Sequence, residues 1–146
     1  MSTAPQPQPS MDAALRVVRI IHLAMLASAV LYVFVGELVA ADSSGRSQVD
    51  SMLVNVSLIL AITLALAAIG LRQKLTASTQ EMLLRSPGDA ATLGRWRAAH
   101  VVAFALAEAV VLFGLVLRIM GATLTQAATL YAMGIIALLL ISPRRL

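Results

Sequence analysis

RAAHVVAFALAEAVVLFGLVLR, residues 97–118, decides the fold of this chain. An arginine closes each end, and nineteen of the twenty residues from Ala98 to Leu117 are uncharged. At a rise of ~1.5 Å per residue the run is roughly 30 Å long as a helix, the thickness of a bilayer core. The exception is Glu108, near the middle, where a charge is expensive and an acid is functional by default.

Three further apolar runs accompany it, at about 17–41, 51–71 and 124–142. With 60% apolar and 12% charged residues, the 146-residue chain departs from the roughly 25% charged composition of soluble domains. The reading is an all-α, integral membrane four-helix bundle in one domain, residues 11–146, built from two parallel helical hairpins. Residues 1–10 (MSTAPQPQPS) have nothing to bury and read as a disordered tail. Arg16, Arg19 and the apolar run up to Val39-Ala40-Ala41 also fit a signal peptide. Against that, Ile20–Gly36 is long for a signal core.

Between the second and third spans lies a basic linker, 72–97. In it Ser78-Thr79-Gln80-Glu81 has the form of a capping box before a short surface helix, Pro87-Gly88 breaks that helix, and Asp89 or Thr92 can cap the next one. Ser10 is placed to cap the first helix, Gly121 to end the third, and Pro143 to stop the fourth.

Nine of the eleven Lys/Arg fall on one side of this plan: Arg16, Arg19, Arg72, Lys74, Arg85, Arg95, Arg97, Arg144 and Arg145. Arg46 and Arg118 fall on the other, with Glu37, Asp42 and Asp50. The positive-inside rule then puts both termini in the cytoplasm and the protein in the cytoplasmic (inner) membrane. The net charge of +4 is spent on orientation, so no nucleic-acid partner is expected.

Residues 12–36 align without a gap to 90–114, with eight identities in 25 pairs. The informative ones are Arg19/Arg97, His22/His100 and Gly36/Gly114. Two helices per unit would make this a parallel internal duplication. Position 30, the counterpart of Glu108, is Val, so the acid belongs to one half only.

Depth counted from the span ends brings Ser28, Thr63 and Tyr131 level with Glu108 as hydrogen-bond partners. His22 and His100, each three residues after an arginine, are expected at the interface. On a helical wheel His100, Ala107, Val111, Gly114 and Arg118 form a stripe whose small members admit another backbone. Glu108 lies roughly 100° from Ala107 and flanks that seam. Arg118 is expected to snorkel outward. There is no cysteine, metal-ligand cluster, phosphate loop or nucleophile motif, so neither cofactor, metal site nor enzyme activity is expected. Asn55-Val56-Ser57 matches a glycosylation sequon close to the membrane.

Ala105–Gly121, ALAEAVVLFGLVLRIMG, resembles the carboxylate-bearing helix of rotary ATPase proteolipids, the c-type subunits. That resemblance implies that Glu108 is an ion-carrying acid. It covers seventeen residues, and Glu108 stands in the first helix of its hairpin, whereas the proteolipids carry the acid in the second. The overall layout resembles small four-helix bacterial membrane proteins of unassigned function. Two expectations follow. The chain is a structural or accessory subunit, a homo-oligomer or part of a larger membrane complex, with Glu108 as a polar contact. Alternatively it handles protons or cations through Glu108.

Overall fold

Apolar runs free of proline leave the backbone nothing to do in a bilayer but close its own hydrogen bonds as helix. The structure, a computed structural model, describes residues 11–42, 49–85 and 89–143, without the side chains of 75–80 and 83–85. The tail 1–10 with Ser10, Arg46, Pro87-Gly88 and Arg144-Arg145 lie outside the described residues. Four helices make up the rest: α1 (Met11–Ala41), α2 (Ser51–Arg85), α3 (Ala90–Ile119) and α4 (Leu124–Leu140). The all-helical membrane bundle read from the sequence is borne out. α1, α3 and the Ser51–Lys74 part of α2 are long and apolar enough to cross a membrane. α4, at 17 residues, spans roughly 25 Å, the lower end of what crossing requires.

Two expected boundaries move. Residues 72–85 are not a linker with a separate short helix; α2 runs through them to Arg85. The reason is local, because nothing between Arg72 and Arg85 is Gly or Pro. α3 starts at Ala90, inside the expected linker, with Asp89 as its N-cap. The Asp89 carboxylate accepts from the Ala91 and Thr92 backbone N–H groups at 3.2 Å, and from the Thr92 hydroxyl.

Those bonds, led by the Thr92 hydroxyl, hold the Asp89 carboxyl below the ordinary aspartate range. A carboxyl depressed on folding stabilises above its unfolded pKa, and the contribution vanishes as pH falls through the folded value. Amide exchange at Ala91 and Thr92 is therefore expected to accelerate, beyond the intrinsic pH trend, once the pH drops below about 3.9, and Asp89→Asn is expected to flatten that response.

The α3–α4 turn is specified residue by residue. Gly121 takes φ 106, a conformation that costs other L-residues strain. Its N–H bonds Arg118 C=O at 3.2 Å and the Ala122 N–H bonds Leu117 C=O at 2.9 Å, the two bonds of a Schellman cap. Thr123 then opens α4 in a reciprocal capping box with Gln126.

α3 is the centre of the bundle. It packs against all three other helices, whereas α1 and α2 make no packing contact with each other among the described residues. α4 lies against α3 and also touches α1 and α2, so α1 and α2 flank an α3/α4 pair. The two halves thus differ: α3 and α4 are a packed hairpin, and α1 and α2 are not. The contacts also fix directions. His22 sits by Phe104 and Glu37 by Arg118, so α1 runs parallel to α3. Arg72 meets the end of α4, so α2 runs parallel to α4. Arg16, Arg19, Arg72, Lys74, Arg95 and Arg97 therefore share one end of the bundle, as the charge pattern requires.

Lipid tails are as apolar as leucine, so these helices associate through close packing and polar contacts. Gly134 of α4 stands so close to α3 that a Cβ there would collide with the Val111 side chain and lie 3.0 Å from Ala107 O and Val111 N. Gly36 of α1 and Gly114 of α3, paired in the sequence repeat, converge on one side chain, Tyr131 of α4. A Cβ on Gly114 would lie 2.7 Å from the tyrosine ring, and one on Gly36 would strike its hydroxyl.

A candidate polar site between the first and third helices

The wheel position of Glu108 determines what it can touch. Ala107, Val111 and Gly114 are buried against α4, and Glu108, one helical step round, turns toward α1. There Tyr32 of α1 faces its carboxylate, and Ser28, one turn earlier on α1, lies beside the same phenol. A phenol has one proton. It can donate that proton to Glu108 and accept from the Ser28 hydroxyl, so the three residues make a polar cluster between α1 and α3. All three side chains are half-buried, so Glu108 is not the enclosed acid that its depth suggested. Helices cover α3 on the α4 and α2 sides, and on the Glu108 side the cover is α1 alone.

Of the three partners expected for Glu108, only Ser28 belongs to this cluster, where it lies beside Tyr32. Thr63 is exposed on α2 and donates to the Ile59 carbonyl of its own helix at 2.9 Å. Tyr131 is buried between Gly36 and Gly114, and its hydroxyl has no hydrogen-bond partner among the described residues. Depth along the membrane normal is readable from sequence, but the side of the helix that faces a neighbour is not. Tyr32 went unnoticed for the same reason, although it stands four residues after Ser28, the spacing of one helical face.

The histidines are not at a hydrated surface. His22 and His100 are 7% and 4% exposed, on either side of the Phe104 ring, with centroids 5.0 and 6.1 Å from it. His22 Nε2 lies 3.0 Å from Leu138 O of α4, and His100 Nδ1 lies 3.0 Å from Trp96 O. A carbonyl only accepts, so each of those nitrogens carries the proton. His22 thereby satisfies one of the last four carbonyls of α4, which no helix bond can reach. Ile141 N–H takes Ala137 O, Ser142 N–H takes Leu139 O, and Arg72 takes Leu140 O at 2.6 Å and also Ser142 O. A cation at that terminus also suits the helix dipole. The end of α4 is thus clamped from α1 by His22 and from α2 by Arg72.

At the opposite end, Arg118 does not simply snorkel into water. Its Nε and Nη2 donate to the two carboxylate oxygens of Glu37 at 2.9 and 2.8 Å, and its Nη1 donates to Ala122 O at 2.9 Å. This is a bidentate pair between α1 and α3, with the α3–α4 turn held by the same guanidinium. Among the described residues no group of three metal-ligating side chains comes together. No protein-family model matches this chain, and no curated protein and no solved structure matches it either.

Proposed function

We propose that this chain is a small integral membrane protein acting as a structural or accessory subunit of a membrane assembly. In this reading it lies in the cytoplasmic membrane with both termini inside, and Glu108 is the polar contact that holds α1 on α3. The observation that carries the reading is the juxtaposition of Tyr32 and Glu108 across the α1–α3 interface, with Ser28 beside them. A carboxylate faced by a phenol across the helix interface suits adhesion between helices, a common use of polar residues inside membranes. The outward faces support the accessory role. Val30, Phe34 and Leu38 on α1, and Met52, Val56, Ile59 and Leu66 on α2, are exposed apolar side chains available to lipid or to another copy or subunit. The collection of basic residues at one end supports the orientation.

The half-burial of Glu108 favours one competing reading, a proton- or cation-handling protein in which the carboxylate exchanges its ion from the α1–α3 side. Glu108→Gln separates the two. The amide carbonyl can still accept from Tyr32 but cannot ionise, so assembly in mild detergent is expected to survive with a loss of at most about 1 kcal/mol. Liposomes holding the parent protein are expected to show no proton or cation flux above the lipid background. A parent flux that the glutamine variant abolishes would replace the structural reading with the ion-handling one.

A further inference from the structure

An open pocket of about 430 Å³ lies along the first turns of α1; among the described residues Asp12, Leu15, Arg16, Arg19, Ile20 and Leu23 line it, all on that helix. Spacings of three and four put these residues along one side of the helix, beside the face that buries Ala14, Val18 and His22. Arg16 and Arg19 are exposed, and neither has a hydrogen-bond or ion-pair partner among the described residues. Asp12 forms no ion pair either, so the lining carries two cations against one anion. Within about two turns of Arg16, Ile20 and Leu23 are 61% and 64% exposed. This face is cationic near the start of α1 and apolar further along the helix.

We propose that this recess binds an anionic phospholipid, with Arg16 and Arg19 on its phosphate and an acyl chain against Ile20 and Leu23. Charge complementarity selects that occupant. Two guanidinium groups one turn apart present several N–H donors to phosphate oxygens, and the planar fork matches them bidentately. The apolar stretch beneath selects a ligand with a tail over free phosphate. Asp12 repels a second anion and offers an acceptor to a headgroup hydroxyl, so a phosphodiester with a hydroxylated headgroup fits better than one with a choline. Basic residues that merely orient the chain would attract all anionic lipid without a defined seat. A seat predicts dependence on these two arginines in particular.

The test uses the full chain in mild detergent, with lipid adducts read by native mass spectrometry during titration with phosphatidylglycerol, phosphatidylcholine or glycerol phosphate. One phosphatidylglycerol per chain is expected to bind in preference to phosphatidylcholine, with no adduct from tail-less glycerol phosphate at the same concentration. Arg16→Gln/Arg19→Gln is expected to weaken phosphatidylglycerol binding about tenfold or more, whereas Arg95→Gln, an exposed arginine at the same end but outside the recess, leaves it within about twofold. If the double variant does not fold, Arg16→Lys/Arg19→Lys keeps both charges, removes the fork, and is expected to lose the preference for phosphatidylglycerol. Equal binding of the two lipids by the parent, or equal weakening by Arg95→Gln, overturns the proposal. So does preference retained in the lysine variant. Glycerol phosphate binding as tightly as lipid would assign the recess to free phosphate instead.

Discussion

Gly134→Ala is expected to be among the most damaging single-methyl additions in this bundle. The new Cβ would strike the Val111 side chain and sit 3.0 Å from two backbone atoms of α3, Ala107 O and Val111 N. Side chains can rotate away, but a helix backbone moves only as a whole, so α4 must back off from α3. Overpacking of this kind costs about 1–3 kcal/mol. The loss is expected as a lower unfolding midpoint in mild detergent, and Gly134→Leu is expected to prevent the α3–α4 hairpin from closing. The same change has the opposite sign where the helix has room. Nothing lies within 4 Å of a Cβ built on Gly70 of α2, so Gly70→Ala is expected to gain about 0.5–1 kcal/mol from helix propensity alone. Equal effects at the two positions would refute the close approach of α3 and α4.

Arg118→Ala is the second large effect expected. It removes both bonds to Glu37 and the bond to Ala122 O, and leaves the Glu37 carboxylate without a counter-ion beside α3. One-sided loss of a fully buried pair costs about 3–5 kcal/mol, and exposed pairs are worth about 0–1 kcal/mol. With side-chain exposures of 20% for Arg118 and 36% for Glu37, roughly 1–2 kcal/mol is expected, between those limits. Glu37→Ala is expected to cost less, because the guanidinium keeps Ala122 O. The swap Glu37→Arg/Arg118→Glu is expected to restore only part of the loss, since a carboxylate at 118 cannot donate to the Ala122 carbonyl. Thermal unfolding of the parent and the three variants in one detergent ranks them, and full recovery in the swap would show that the bond to the turn contributes nothing.

What was legible in the sequence follows from what is periodic in it. Length and hydropathy set the helices, and caps at Asp89 and Gly121 set the two boundaries of α3, because each acts within a few residues. The Ala107–Val111–Gly114 stripe marked a close-approach seam, which the structure fills with α4, since a small residue on a recurring face has little use except close approach. Which helix covers which face is a property of the assembled bundle. Ser28, Thr63 and Tyr131 share a depth with Glu108, yet only α1 comes alongside it, and Tyr32 is the residue that meets it. The expected snorkelling of Arg118 overlooked Glu37 because the two are 81 positions apart. Residues 12–36 and 90–114 lie on two parallel helices whose glycines share Tyr131, but α1–α2 and α3–α4 are not equivalent hairpins.

The claim that Glu108 serves as a polar contact between α1 and α3 rests on Tyr32, and a double-mutant cycle tests it directly. Tyr32→Phe, Glu108→Ala and the pair together are to be compared by reversible unfolding in one detergent. Polar contacts within membranes couple by roughly 0.5–1.5 kcal/mol, and a coupling of that size is the expected result. Losses that add within about 0.3 kcal/mol would mean that the two side chains do not hold the helices together, and would contradict the structural role of the acid.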